Sequence, residues 1–176
     1  MHEQSLRLMT QFARTVPAGA KVLDVGSRDV NGTFRDLFPN HDYLGIDIEP
    51  GPNVDIVVEP FNYPFEANTF DVIVSGSCLE HVTKPWKWIR EVSRILKLGG
   101  RLCVIVPYQH AYHEHPVDCW RVFPEGMRAL FEEAGLSEES IQMHDGTDQG
   151  FHPILQERIV SLNSDGFCDT IGIATK

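Results

Sequence analysis

Two acids near the start of this 176-residue chain have types and a spacing that could hold a nucleoside. Asp24 lies in the apolar run "KVLDV", just before Gly26, and Asp47 lies near the end of a second run, "DYLGIDI". In an open α/β sheet, ligands bind beyond the carboxyl ends of the strands. An acid at the end of the second strand, about 20 positions on, accepts hydrogen bonds from ribose hydroxyls. The pair predicts an adenosine-containing ligand, against the plainer alternative of a turn residue and a surface acid. The loop itself, "VLDVGSRDVNG" from Val22 to Gly32, lacks the G-x-G-x-x-G spacing that rests a pyrophosphate on a helix N-terminus. Its acid precedes the first glycine, where it would repel a pyrophosphate but could receive a cation such as an α-ammonium group. That favours S-adenosylmethionine over a nicotinamide dinucleotide.

Histidines supply the second set of candidates. His81, in "CLEHV", follows the fourth apolar run on the ligand side. It reads equally as a general base for an acceptor proton or as a core residue at a helix N-terminus. The run "PYQHAYHEHPVDCWRVFP", Pro107 to Pro124, carries His110, His113, His115, Asp118, Cys119, Trp120 and Arg121. A long loop of histidines and aromatics over a pocket is a candidate acceptor site. His113 and His115 share one face of it if it is extended. His81, His113 and His115 are therefore the candidate catalytic residues. Asp118 and Arg121 read as an internal ion pair that anchors the loop. Histidine, cysteine and carboxylate all bind zinc, but their spacing matches no finger or HExxH pattern, so no metal is expected. Cys119 is not expected to act as a nucleophile, because transfer of a group from S-adenosylmethionine needs no covalent intermediate. In the stretch from 145 to 167, His152 and Gln156 could approach an acceptor, although a surface loop with a short helix accounts for it.

The scaffold for these residues follows from the apolar pattern. Leu6, Met9, Phe12, Ala13 and Val16 recur at three- and four-residue steps, one stripe of a helix. "KVLDV", "DYLGIDI", "VDIVV", "FDVIVSG" and "RLCVIVP" read as five strands. "NGTFRDLF" reads as a short helix closed by Pro39. A longer helix is expected from about Lys84 to Leu98, stopped by Gly99-Gly100, and another from Pro124 to Ala134. "IQMHD" and "CDTIGIAT" are the last two strands, an antiparallel pair at one edge. Strands that alternate with helices predict an α/β fold with a largely parallel sheet. No linker, repeat or low-complexity tract divides the chain, so one domain is expected, with the N-terminal helix either docked on the sheet or acting as a lid. A formal charge of -10 disfavours nucleic acid as a partner. Lys87, Arg90, Arg94 and Lys97 read as a solvated helix face. Four scattered cysteines, no leader-like N-terminus and no long apolar run predict a cytoplasmic protein that neither spans a membrane nor relies on disulfides.

Taken together, these motifs resemble the class I S-adenosylmethionine-dependent methyltransferases of the type 11 group. "VLDVGSRDVNG" is similar to the family's first motif and "YLGIDIEP" to its second. "EPFNYPFEANTFDVIVSGSCLEHV", "WIREVSRILKLGGRLCVIVP" and "FPEGMRALFEEAGL" resemble the stretches that follow, so the likeness runs from about Lys21 to Leu136. It implies a Rossmann-like three-layer sandwich with a mostly parallel seven-stranded sheet and an antiparallel last strand. By position it implies that Asp24 and Gly26 line the methionine end, with Ser27 and Arg28 in the same loop. It places Asp47 on the ribose, Ile48 on one face of adenine, and Glu59 on the adenine amino group. Ser75 and Gly76 close the fourth strand beside the sulfonium. Two positions depart from the pattern. Arg28 replaces a glycine, which is costly only if φ there is positive. Pro60 has no N–H to offer adenine, so either Phe61 supplies it or adenine is held less specifically. The function implied is O- or N-methylation of a small-molecule or sugar-type acceptor. The rivals are a non-catalytic cofactor-binding module and a nicotinamide-dependent oxidoreductase, the latter made poor by the missing glycines.

Overall fold

A computed structural model describes residues 3–114, 116–144 and 168–176. Among the described residues, three α-helices, α1 (Glu3–Ala13), α2 (Pro85–Ile95) and α3 (Pro124–Glu133), cover a sheet of seven strands. The strands are β1 (Lys21–Val25), β2 (Asp42–Asp47), β3 (Ile56–Val57), β4 (Phe70–Gly76), β5 (Leu96–Gln109), β6 (Ser137–His144) and β7 (Cys168–Thr175). Their order is β3-β2-β1-β4-β5-β7-β6. Strands β1 to β5 pair in parallel, while β7 is antiparallel to both β5 and β6. The expected sheet and its antiparallel last strand are present. Alternate residues of each central strand feed opposite faces. Leu23, Ile73 and Val104 pack beneath α2 and α3, and Val22, Val72, Val74 and Ile105 pack beneath α1.

Three local expectations are corrected. In α1 it is Leu8, not Leu6, that joins Met9 and Phe12 in the core, and Leu6 is exposed. The helix is turned by Ser5, whose hydroxyl donates to buried Asp169 on β7 at 2.8 Å. "NGTFRDLF" forms only a 3₁₀ turn, Arg35–Leu37. The Asp29 carboxylate takes the Gly32 N–H at 2.6 Å, a side-chain turn that competes with helix. Phe34 and Phe38 still reach the core beneath α1. Finally, α2 ends at Ile95 and passes directly into β5, because Leu96 is fully buried and pairs with Phe70. Gly99-Gly100 lies inside that strand and does not stop the helix. Gly99, at φ +75°, donates its N–H to Lys176, and Gly100 lies where a Cβ would meet the backbone oxygens of Lys97 and Asp71.

Helix α1 packs on the sheet and borders neither cavity described below. The basic residues of α2 are largely paired, Arg90 with Glu133 and Arg94 with Glu91, while Lys97 just beyond pairs with Asp71. Among the described residues, no helix is long and apolar enough to cross a membrane.

Candidate active site

The strand order reverses between β1 and β4, so the chain diverges there and leaves a crevice at their carboxyl ends. Two adjoining cavities occupy it, of about 320 and 340 Å³. Gly26, Arg28, Val30 and Ser77 border both. The first is mostly apolar, walled by Ile48, Val58, Pro60, Phe61 and Trp88, with Asp47 on its rim. The second is more polar and holds Asp24, Ser27, Asn31, Thr33, His110 and His113.

The β1 loop is shaped by close approach. Gly26 sits at φ +81°, and a Cβ there would overlap the side chain of Cys78. The Gly26 and Ser27 amides both donate to the Ile46 carbonyl, at 2.9 and 3.0 Å, which ties the turn to β2. Ser27 and Asn53 exchange hydrogen bonds. Arg28 is not among the residues with positive φ, so the missing glycine adds no strain. Its N–H donates to Asp47 at 3.2 Å, and its guanidinium pairs with Glu49. Asp47 also accepts the Glu49 N–H at 3.1 Å, which fixes the carboxylate at the rim.

Asp24 is 2% exposed. One carboxylate oxygen accepts the Tyr43 hydroxyl, and the other, Oδ1, is buried with no hydrogen-bond partner. Burial raises its pKa to about 7, against the pull of that hydrogen bond and of Arg35. An unpartnered buried oxygen beside a polar cavity fits the α-ammonium of the expected cofactor. The apolar first cavity and the rim carboxylate of Asp47 fit its adenosine. Of the other expected contacts, Ile48 is 47% exposed over the first cavity, and Pro60 and Phe61 line it. Phe61 holds φ +61°, unusual for so large a residue. Glu59 is exposed and borders neither cavity. Gly76 lines the second cavity, where a Cβ would strike Phe34. Ser75 is fully buried and donates to the Val25 carbonyl at 2.8 Å, bridging β1 and β4 beneath the cleft. Ser77, at φ +52°, borders both cavities and Cys78 the first, and burial pushes the Cys78 thiol pKa up.

His81 and His113 come together, with ring centroids 5.0 Å apart and perpendicular planes. His81 ends a 3₁₀ turn, Leu79–His81, directly after β4. The histidine loop folds back over that turn. The Cys119 and Trp120 amides donate to the Glu80 carbonyl at 2.8 and 3.2 Å, and the Trp120 indole N–H donates to Val82 at 2.7 Å. Asp118 and Arg121 form the expected anchor, bonded through both guanidinium ends at 2.6 and 2.8 Å, with Asp118 also accepting the His113 N–H at 2.7 Å. The Arg121 guanidinium holds the Asp118 carboxyl far below the usual carboxylate range. Glu80, missed in the sequence because it reads as an ordinary acid at a helix start, is 1% exposed, and burial raises its pKa to about 8. Tyr43 and Trp88 were also missed, since each passes for a core aromatic. His115, His152 and Gln156 lie outside the described residues.

Comparison with known proteins agrees with this geometry. A family model described as "Methyltransferase domain" matches residues 23–104. The chain is 34% identical over 83 residues to 2-methyl-6-phytyl-1,4-hydroquinone methyltransferase 1, chloroplastic, from Oryza sativa subsp. japonica, covering 45% of this chain and 25% of that protein. It is 30% identical over 77 residues to 2-methoxy-6-polyprenyl-1,4-benzoquinol methylase, mitochondrial, from Caenorhabditis elegans, covering 44% and 27%. The chain thus spans about a quarter of the length of these relatives. Its fold is shared with Burkholderia thailandensis 1,6-didemethyltoxoflavin-N1-methyltransferase, solved with 1,6-didemethyltoxoflavin and S-adenosylhomocysteine. The TM-score is 0.73 at 17% identity, over 99% of this chain and 79% of that one. Residues 23–104 thus match the methyltransferase-domain model, and the chain has the fold of a methyltransferase solved with S-adenosylhomocysteine.

Proposed function

We propose that the protein methylates a small-molecule acceptor, with the buried, unpartnered Oδ1 of Asp24 as the observation that carries the reading. Asp24 lines the polar cavity, where a cation would satisfy that oxygen, and the α-ammonium of the cofactor is one. Bound S-adenosylmethionine supplies a methyl group already activated by its positive sulfur, so the chain's task is chiefly positioning. Asp24 receives the ammonium and Asp47 the ribose hydroxyls. Ile48, Pro60 and Phe61 hold the adenine by apolar contact, which tolerates the missing Pro60 N–H. His81 and His113 face the acceptor, and a neutral imidazole there can take its proton. The quinol names of the matched relatives support a small acceptor with a ring hydroxyl or carbon nucleophile. The acidic balance of the chain supports the absence of nucleic acid from its partners. Arg28 and Pro60 are the two features that favour a non-catalytic module, and Pro60 lines the first cavity with no N–H to offer; Arg28 is the one that the geometry accounts for. Its unstrained backbone and its pairing with Glu49 remove that support.

Calorimetric titration with S-adenosylhomocysteine, with NAD as control, tests the reading. Binding of the first alone is expected. Asp47→Ala should weaken it by about 1–3 kcal/mol through loss of charge-assisted hydrogen bonds. Unchanged affinity in that variant would overturn the ribose assignment.

A further inference from the structure

We infer that Glu80, His81 and His113 form a site for a divalent metal of the zinc class, set over the seam between the two cavities and open to an acceptor hydroxyl. One ligand atom from each of the three lies within 4.8 Å of the others. His81 Nε2 is 3.8 Å from Glu80 Oε1. That is too long for a hydrogen bond, and it suits two ligands that share a cation at about 2.0–2.2 Å each. The protons are already placed for it. His81 Nδ1 lies 2.5 Å from the Val117 carbonyl, which only accepts, so Nδ1 carries the hydrogen and Nε2 keeps its lone pair. His113 Nδ1 lies 3.1 Å from the Ala111 carbonyl, 3.4 Å from the Asp118 carboxylate and 3.0 Å from His110 Nδ1, so with His110 Nδ1 as acceptor or its hydrogen turned away, His113 donates through Nδ1 and offers Nε2. Metal-binding histidines are held in this way, the far nitrogen donating to a carbonyl or carboxylate. Glu80 supplies the second, independent observation. It is 1% exposed, and its Oε2 has no hydrogen-bond partner. A buried acceptor oxygen with no donor is costly, and a cation bound there would satisfy it.

Two imidazoles and one carboxylate are a donor set that leaves a coordination position open. The sequence hides it because Glu80 and His81 come from the turn after β4, while His113 arrives on a loop returned by its bonds to the Glu80 carbonyl. His81 borders the first cavity and His113 the second, which meet at Ser77. The acceptor role of this site rests on the methyltransferase reading, whereas the metal does not. A hydroxyl bound to the metal loses its proton more readily, here to solvent, because His81 and His113 then serve as ligands in place of the base role proposed above. Its oxygen then forms the O–CH₃ bond as the S–CH₃ bond breaks, the electron pair returning to sulfur to leave neutral S-adenosylhomocysteine. The acceptor class is therefore a hydroxyl compound that can ligate a metal.

Co²⁺ is the probe, added to chelator-treated, untagged full-length protein and followed by equilibrium dialysis and visible absorption. One Co²⁺ per chain is expected, with the intense bands of a four- or five-coordinate site. Glu80→Gln and His113→Ala should each weaken binding more than ~10-fold, the scale at which even outer-shell changes act. Half-exposed His113 keeps the test open if Glu80→Gln fails to fold. No stoichiometric Co²⁺, or unchanged affinity in His113→Ala, overturns the site. S-adenosylhomocysteine affinity, measured on the same samples, separates the two readings. Binding of it without Co²⁺ sinks the metal alone, and Co²⁺ without it sinks the methyltransferase reading and leaves the metal standing.

Discussion

Asp24 couples folding to ligand binding through one carboxyl group. Burial keeps it protonated in the fold up to about pH 7, whereas the unfolded chain loses that proton near 3.8. Between those values the native state binds the extra proton, so stability falls as pH rises through the window. A cation delivered to Oδ1 reverses the cost by stabilising the ionised form. Two outcomes follow for Asp24→Asn, which retains an oxygen to accept from Tyr43. At pH 8 the variant should be more stable than the parent by about 1–3 kcal/mol, with no gain near pH 4, as read by denaturant unfolding at both values. Its affinity for S-adenosylhomocysteine should collapse at every pH. In the parent, affinity should be greatest between about pH 7 and the pKa of the ligand's α-ammonium, and fall by up to about tenfold per unit below pH 7. A flat parent profile would show that Asp24 does not receive the ammonium. A stabilised but non-binding variant is the usual signature of a functional site built at the expense of the fold.

The elements of the site differ in how openly the sequence declares them. The β1 loop and the end of β2 were legible because an acid, a glycine and a second acid at strand ends carry local meaning. The histidine loop was legible as a candidate and as an Asp118–Arg121 anchor. Its return onto Glu80 was not, because backbone bonds between residues 80 and 119 leave no trace in residue type. Gly99-Gly100 misled for a related reason. A glycine pair after an apolar helix normally ends it, but here the burial of Leu96 ends the helix earlier and the glycines serve a crowded strand. The anchor makes a prediction at this scale. The Asp118 side chain is 1% exposed although its loop lies at the surface, so Arg121→Ala leaves the carboxylate without its guanidinium and should cost about 1–3 kcal/mol in thermal or denaturant unfolding. Arg121→Lys should recover only part of that, since an ammonium cannot match both carboxylate oxygens. Amide exchange at Cys119 and Trp120 should rise in both variants. Unchanged protection there would mean that the loop is held by its bonds to Glu80 and Val82 and not by the ion pair.

On the scale of the whole molecule, alternation of strands and helices was enough to predict a mostly parallel sheet covered on both faces. The placement of β7 between β5 and β6 was not visible, because strand order depends on pairing across more than sixty residues of chain separating Pro107 from Asp169. That placement has a consequence for α1. Asp169 on β7 is 1% exposed, and Ser5 on α1 is fully buried with its hydroxyl on the Asp169 carboxylate. The start of the described chain is thereby bonded to its last strand, and this contact selects Leu8 over Leu6 for the core. Burial pushes the Asp169 carboxyl up, and the Ser5 hydrogen bond opposes it. Removal of the hydroxyl leaves a buried acceptor unsatisfied. Ser5→Ala should therefore cost about 1–3 kcal/mol, a fall in melting temperature of roughly 2–10 °C for a chain of this size. If that cost comes from the stranded carboxylate and not from lost packing, Asp169→Asn added to Ser5→Ala should recover stability, because it removes the charge that the hydroxyl had compensated. A double variant no more stable than Ser5→Ala would assign α1 docking to Leu8, Met9 and Phe12 alone. In either case S-adenosylhomocysteine affinity should stay near that of the parent, since α1 borders neither cavity.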